Sequence, residues 1–513
     1  MCKEIILNTY LAKKLIYFMT SKIIFWLNAD LLQFCLAYYF QKSYKGELFS
    51  IIDITNKPKD FFKEQNLVKF SKTWFFHDHI KVKKNPDLKY LENFEKKYNV
   101  DLSELASNDR IFNHFNDWHK FSEEEINSIL EHECKFFEMV LDCVNPDFFI
   151  TTETALRPHH LFYEMCKKRG IKILMLNHAN WKTFCYISQE RHKLDGIKKI
   201  SDEEYKECNF EFLQDLWENA KVSKHHSKFH SEIRSSKISL FKAAIKFLLS
   251  SNDNIRTHYT YFGRHKFKIL YKEIQDRIRK RQRKHFIDLN LLQKFNYDKP
   301  FVYMPLHQEP ERSLLIGAPK FSDQIKTIKE TVKSLPPNYE LYVKEHPTQG
   351  PARGWRDISF YEEIIKMNNV KIFHPNFDSK ILLKNCKLVF SVGGTSSFEA
   401  SFFGKPSIMF ADLGYALIPS IKKLNSYEEL KEGIIDCMNI RVNPNHVYSY
   451  IKILESNSFD FDILNLEVKY HNWFYFGGNL VDVVIDDDKM KRFLLDNKNE
   501  FEKLSSEFIN KIN

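Results

Sequence analysis

Five side chains able to hold an oxyanion follow short apolar runs in the second half of the chain. They are His307, Gln308 and Arg312 in PLHQEPER, and Lys344 and His346 in KEHPTQG. Each can donate hydrogen bonds to phosphate or carboxylate oxygens. A third stretch, SVGGTSSFEASFFGKPSIMF, sets Gly393 and Gly394 before Thr395, Ser396 and Ser397. Glycines let a backbone turn sharply and approach a ligand, and the free N–H groups and positive dipole of a helix start attract phosphate. This predicts an anion at Ser396 and Ser397, with Glu399 accepting from a ribose diol. A plainer reading exists for each: Ser396 and Glu399 have the S-x-x-E spacing of a capping box. His307 and His346 can be turn residues, Arg312 can pair with Glu309, and Lys344 can be exposed.

The elements that must position these side chains alternate. Residues 388–392 read as a buried strand, a helix follows to Gly404, and 406–410 read as a second strand, which is half of a βαβ unit. Upstream, strands at 301–304, 339–344 and 370–373 alternate with helices at 322–334, 361–367 and 379–385. In an open parallel sheet the loops at the carboxyl ends of strands converge on the ligand crevice, so the three loops are expected to face one cleft. The start of the chain alternates too: strands at 22–28, 48–54, 148–151 and 171–176, with helices at 31–42, within 86–142 and at 163–169. The expectation is an α/β chain with a domain over 1–200, a helical basic segment over 201–298, a second domain over 299–455 and a tail, 456–513, that packs back.

Composition narrows the class. Of 513 residues, 43% are apolar and 28% charged, and low Gly (14) and Pro (16) counts argue against long disorder or a turn-rich sandwich. The net charge of +10 suits an anionic partner, and ten Lys or Arg crowd into 264–284. That run is either a solvated helix face or a surface for an acidic acceptor or anionic membrane; nucleic acid is not expected, since no binding motif accompanies it. Nine cysteines with no C-x-x-C point to reduced thiols in a cytoplasmic protein and to no metal site. Residues 5–40 are apolar but broken by Lys13, Lys14, Lys22, Asn28 and Asp30, short of the roughly 20 apolar residues of a spanning helix. They read as an amphipathic helix and a core strand, with contact at a membrane surface as the alternative.

The runs VYMPLHQEPERS, DQIKTI, LYVKEHP and SVGGTSSFEASFFGKPSIMF together resemble the capsule-polysaccharide-biosynthesis family of glycosyltransferases, similar to the Kdo transferases of capsule assembly. The strongest resemblance covers about 299–415. A weaker one covers about 88–190, through NDRIF, FFEMVLDCVNPDFFI and GIKILML. It implies a GT-B architecture, two Rossmann-like domains facing across a cleft, with a nucleotide-sugar co-substrate on the second domain and neither metal nor other cofactor. It also implies that His346-Pro347 and Ser396-Ser397 hold the nucleotide phosphate and that Glu399 meets the ribose. Gly393-Gly394-Thr395-Ser396 departs from the single glycine of many relatives.

Displacing a nucleotide from a sugar needs a base for the acceptor hydroxyl and positive charge on the departing phosphate. The candidate base is Glu153, which ends the strand at TTE with Arg157, His159 and His160 nearby; Asp109 of NDR is second. A helix cap for Glu153 and a local Asp109–Arg110 pair are the plainer readings. The expected function is transfer of a sugar, such as CMP-activated Kdo, to a glycan or lipid-linked glycan, in the cytoplasm or peripheral at the inner face of the membrane. The alternatives are a nucleotide-sugar epimerase or hydrolase of the same architecture and a non-catalytic glycan-binding assembly factor.

Overall fold

Strand β1 (Lys22–Leu27, KIIFWL) is buried at every position but the first, and such a run needs cover on both faces of its sheet. Ile23, Phe25 and Leu27 enter one core, and Ile24 and Trp26 the other. Helix α1 (Leu32–Ser43) crosses to β2 (Glu47–Ile52), parallel to β1, and β3 (Lys72–Phe75) pairs beyond it. Helix α2 (Glu123–Val144) starts at a Ser122/Glu125 capping box and ends where Asn145 adopts φ +48°. It leads to β4 (Phe148–Thr152), which pairs with β1 on the other side. Helix α3 (Arg157–Lys168) then feeds β5 (Lys172–His178), and β6 (Phe184–Ser188) turns back antiparallel to it.

The computed structural model describes residues 21–114, 118–200, 208–220, 233, 236–250, 258–296 and 299–513. The amphipathic helix expected within 5–18 lies outside them. Among the described residues, three helices bridge to the second domain: α4 (Phe210–Ala220), α5 (Lys237–Leu249) and α6 (Lys266–Asn290). Of these α4 is part of the second domain's core, through Leu213 and Trp217.

The second sheet is parallel throughout: β7 (Phe301–Pro305), β8 (Glu340–Lys344), β9 (Val370–Phe373), β10 (Leu388–Ser391), β11 (Ser407–Met409) and β12 (Ile421–Lys423), in the order β12-β11-β10-β7-β8-β9. Helix α7 (Gln324–Ser334) lies between β7 and β8, and α8 (Ser396–Phe402) between β10 and β11. Register sets Pro305 beside Lys344 and Ser391 beside Met409, so the loops leave one edge of the sheet.

After α9 (Pro444–Ser456) the chain returns to the first domain. There β13 (Phe459–Asp460) pairs antiparallel with β6, completing the order β13-β6-β5-β4-β1-β2-β3. Helices α10 (Ile463–Phe474) and α11 (Lys498–Ile512) close one face of that sheet, with Tyr39 of α1 bonded to the Leu494 carbonyl at 2.6 Å and stacked on Phe501. The result is two Rossmann-like domains facing across a cleft.

Two details differ from the sequence reading. The helix expected at 163–169 begins at Arg157, because Pro158 sits in its first turn, where an absent N–H is harmless. The first sheet is mixed rather than parallel, since β6 and β13 run against it.

Candidate active site

The cleft between the sheets has a volume of about 510 Å3. One wall is the carboxyl edge of the second sheet. Lys344 ends β8, is buried, and donates to the Pro375 carbonyl at 2.9 Å. Burial lowers its ammonium to about 8, against the pull of Glu345, Glu399 and Asp378. In the next loop Nδ1 of His346 meets the Thr348 backbone N–H at 3.3 Å and its hydroxyl at 2.8 Å, so the neutral ring carries its proton on Nε2.

Glu345 is the buried anchor of that loop. It receives the Tyr361 hydroxyl (2.7 Å), the His346 N–H (2.6 Å) and Arg356 Nε (2.9 Å), while burial pushes its carboxyl up to about 7. Arg356 also donates to Glu309 and to the His307 carbonyl, tying the first loop to the second. Burial lowers Arg356 to about 10, which leaves the guanidinium charged at neutral pH.

The glycine turn is built for contact within the protein. The Gly393 N–H donates to His307 Nε2 at 3.2 Å, so that nitrogen is an acceptor. A Cβ on Gly394 would stand 3.0 Å from Ser391 Oγ and 3.1 Å from His307 Cε1, and one on Gly393 2.7 Å from the Ala411 Cβ. Neither glycine has positive φ. Packing thus favours glycine at both positions, against Ala411 and His307, and both glycines also line the cleft.

Helix α8 starts without the capping box that Ser396 and Glu399 permit. Glu399 instead lines the cleft, where burial pushes it up to about 7 against Lys380 and a hydrogen bond from Trp217. Gln308, Pro347, Gly394, Thr395 and Ser396 line the same space. Gln308 is buried, and its Nε2 has no hydrogen-bond partner among the described residues. Ser397 does not face the cleft: it is fully buried, with Oγ 3.5 Å from the Ile408 carbonyl, on the side of α8 that also carries the buried Ser401.

The opposite wall comes from the first domain. Glu153 follows β4 and enters the cleft, where Arg191 Nε bonds it at 2.6 Å and His192 Nε2 lies at 3.7 Å. Burial opposes ionisation there, but Arg191, His192 and Arg312 outweigh it and hold the carboxyl well below the usual range. His192 is pushed down to about 3 by burial and by Arg191. Arg312 is not in the lining; it reaches across to the first domain, with Nε 2.5 Å from the Thr154 carbonyl, and burial beside Arg191 lowers it to about 9.

Asp109 is elsewhere. It lines a separate cavity of about 220 Å3, where its carboxylate accepts from the Ile111 and Phe112 N–H groups (2.6 and 3.1 Å) and from Arg157 Nε at 2.6 Å. Arg157 also grips Glu133, so Asp109 belongs to a buried ion-pair cluster outside the main cleft. His159 is likewise structural, stacked on Trp26 at 4.6 Å and bonded to Thr151 Oγ1 at 2.6 Å. The sequence reading missed Arg191, His192, His178, Glu311 and Trp217, all of which line the main cleft. His178 ends β5, so the same strand-end rule applied to the first domain finds it. Among the described residues no cluster of His, Cys, Asp or Glu could hold a metal ion, and no helix is long and apolar enough to cross a membrane.

Comparison with known proteins gives one family. Residues 217–418 match the model described as capsule polysaccharide biosynthesis protein. No curated protein matches the chain. Among solved structures the chain is similar to Thermosulfurimonas dismutans KpsC, a beta Kdo 2,7 transferase, at 12% identity over 66% of this chain and 85% of that one, with a TM-score of 0.29. It is similar to the UDP-GlcNAc 2-epimerase from Methanocaldococcus jannaschii at 12% identity over 85% and 100% of the two chains, with a TM-score of 0.24. A glycosyltransferase from Rickettsia africae gives 12%, 88% and 97%, with a TM-score of 0.23. Superpositions this loose carry no argument about the site. The weaker sequence resemblance over 88–190 lies outside the matched family span. The span matched by the capsule polysaccharide biosynthesis model, residues 217–418, holds α6, five strands of the second sheet and all three loops on its side of the cleft.

Proposed function

We propose that this protein is a GT-B glycosyltransferase of capsule-type surface polysaccharide synthesis. It moves a sugar from a nucleotide donor on the second domain to a glycan or lipid-linked glycan on the first, in the cytoplasm at the inner face of the membrane. The observation that carries this reading is the meeting, in one cleft, of Lys344, His346 and the unpartnered Gln308 with Glu153 and Arg191. Cationic and N–H donors on one wall suit a leaving phosphate, and a carboxylate on the other suits proton removal from an acceptor hydroxyl. An acidic sugar activated by CMP, such as Kdo, is the favoured donor, because its carboxylate would give Arg191 a second anion besides Glu153.

In the reaction the acceptor oxygen forms a bond to the anomeric carbon. The bond from that carbon to the phosphate oxygen breaks, its electron pair leaves with the nucleotide, and the acceptor proton passes to Glu153. While paired with Arg191, Glu153 is a weak base. Drawing Arg191 onto the donor's anion returns the carboxyl toward its ordinary range and makes it competent.

The test is calorimetric titration with CMP, CDP, UDP and GDP, repeated on His346→Ala. CMP is expected to bind tightest and to lose about tenfold in the variant, the worth of one charge-assisted hydrogen bond. Nucleotide release that depends on added glycan separates transfer from epimerisation or hydrolysis. Binding without turnover favours the assembly factor, and absence of nucleotide binding overturns the reading.

A further inference from the structure

Helices α5 and α6 expose apolar stripes of a kind that soluble proteins normally cover. On α5, Ile238 (70% exposed), Phe241 (67%), Ile245 and Leu249 (82%) recur at three- and four-residue spacing. At the 3.6-residue helical repeat they fall within about 80° of arc, with Lys242 and Lys246 along one border and Lys237 along the other. The opposite side holds buried Ala243, and α5 contains no acidic residue. On α6, Phe267 (86% exposed), Tyr271, Ile274 and Ile278 form a second stripe, within about 60°. Arg279 borders it on one side and Arg277 on the other, while Asp276 lies opposite the stripe. The helices meet where Lys266 Nζ of α6 donates to the Leu248 carbonyl of α5 at 2.8 Å.

From these two stripes we infer that α5 and α6 form a docking surface for an anionic lipid bilayer. Apolar side chains flanked on both borders by Lys and Arg match acyl chains beneath a layer of negative headgroups. A second copy of this chain is the poorer occupant, since stacking two such faces would set Lys against Lys with no acid on α5 to pair them. The inference does not depend on the nucleotide reading, because membrane binding is measured without nucleotide.

The experiment is co-sedimentation of the full chain with vesicles of phosphatidylcholine alone or with 30 mol% phosphatidylglycerol, at low and high salt. The expected result is binding to the anionic vesicles, weakened by salt. Replacing three basic residues, Lys242→Gln with Arg277→Gln and Arg279→Gln, should weaken it about 100-fold, at roughly fivefold for each basic side chain near such a surface. A separate pair, Phe241→Glu with Ile274→Glu, should weaken it at least about tenfold. These side chains are exposed, so both variants should keep the parent's circular dichroism. Absence of binding at low salt, binding unchanged in both variants, or loss of a parent dimer in the variants would each overturn the inference.

Discussion

Nucleotide binding should exchange protons with solvent, and the direction should reverse near about pH 7.5, midway between two groups in the cleft. Lys344 is lowered to about 8 by burial, so at pH 8 about half of it is neutral. A phosphate bound there requires the ammonium, and binding then takes up about 0.5 proton from this group. Glu399 is raised to about 7 by burial, so at pH 7 about half of it is protonated. Accepting both hydroxyls of a ribose requires the carboxylate, which releases about 0.5 proton. Each group contributes only about 0.1 at the other's midpoint, so the net is uptake of about 0.4 at pH 8 and release of about 0.4 at pH 7.

Calorimetry in two buffers of different ionisation enthalpy measures both numbers. Lys344→Met should abolish the uptake at pH 8 and weaken binding by about 10- to 150-fold, the worth of a charge-assisted hydrogen bond. Glu399→Gln should abolish the release at pH 7 and leave the uptake at pH 8. Proton exchange of one sign at both pH values, or the same exchange in both variants, refutes the placement of phosphate at Lys344 and ribose at Glu399.

Two further outcomes follow from the same cleft. Glu153→Gln should lower turnover by about 10²- to 10⁴-fold, the span of a general base, with nucleotide affinity within about twofold of the parent; unchanged turnover in a glycan-transfer assay rules Glu153 out as the base. Arg356→Ala should lower the free energy of unfolding by about 3–5 kcal/mol in a denaturant melt, because Glu345 is left buried without its cation, and Arg356→Lys should recover little of it, lacking the guanidinium fork.

The donor-side wall was legible because its residues obey a local rule. Strand, polar loop and helix recur from Phe301 to Met409, and parallel pairing carries each loop to the same edge. Within α8 the pattern was richer than the reading taken from it: Ser397 and Ser401, four residues apart, are both buried, while Ser396 lines the cleft. Arg191 and His192 obey no local rule. They follow an antiparallel strand whose outer partner, β13, arrives only after the whole second domain. Asp109 shows the converse, since NDR looks like a surface ion pair until α3 delivers Arg157 to it. Long-range delivery of a charge leaves no trace in spacing.

That long-range wiring also decides which domain Arg191 serves. The His192 carbonyl accepts the Gly414 N–H at 2.6 Å, and a Cβ on Gly414 would stand 2.4 Å from the same oxygen, so only glycine allows the contact. Lys193 donates to Asp412 at 2.8 Å. Both partners lie just beyond β11, in the loop next to the glycine turn. Arg191 is therefore tied by sequence to the first domain and, through its neighbours His192 and Lys193, by contact to the second. Its bond to Glu153 joins two first-domain residues in the wall of the cleft. On the proposed reading, an anion entering from the second domain would compete for Arg191 without any need to separate the sheets, leaving the Glu153 carboxylate free for an acceptor. On that same reading, donor binding and activation of the base would be one event, which is the order a transferase needs if water is not to take the sugar first.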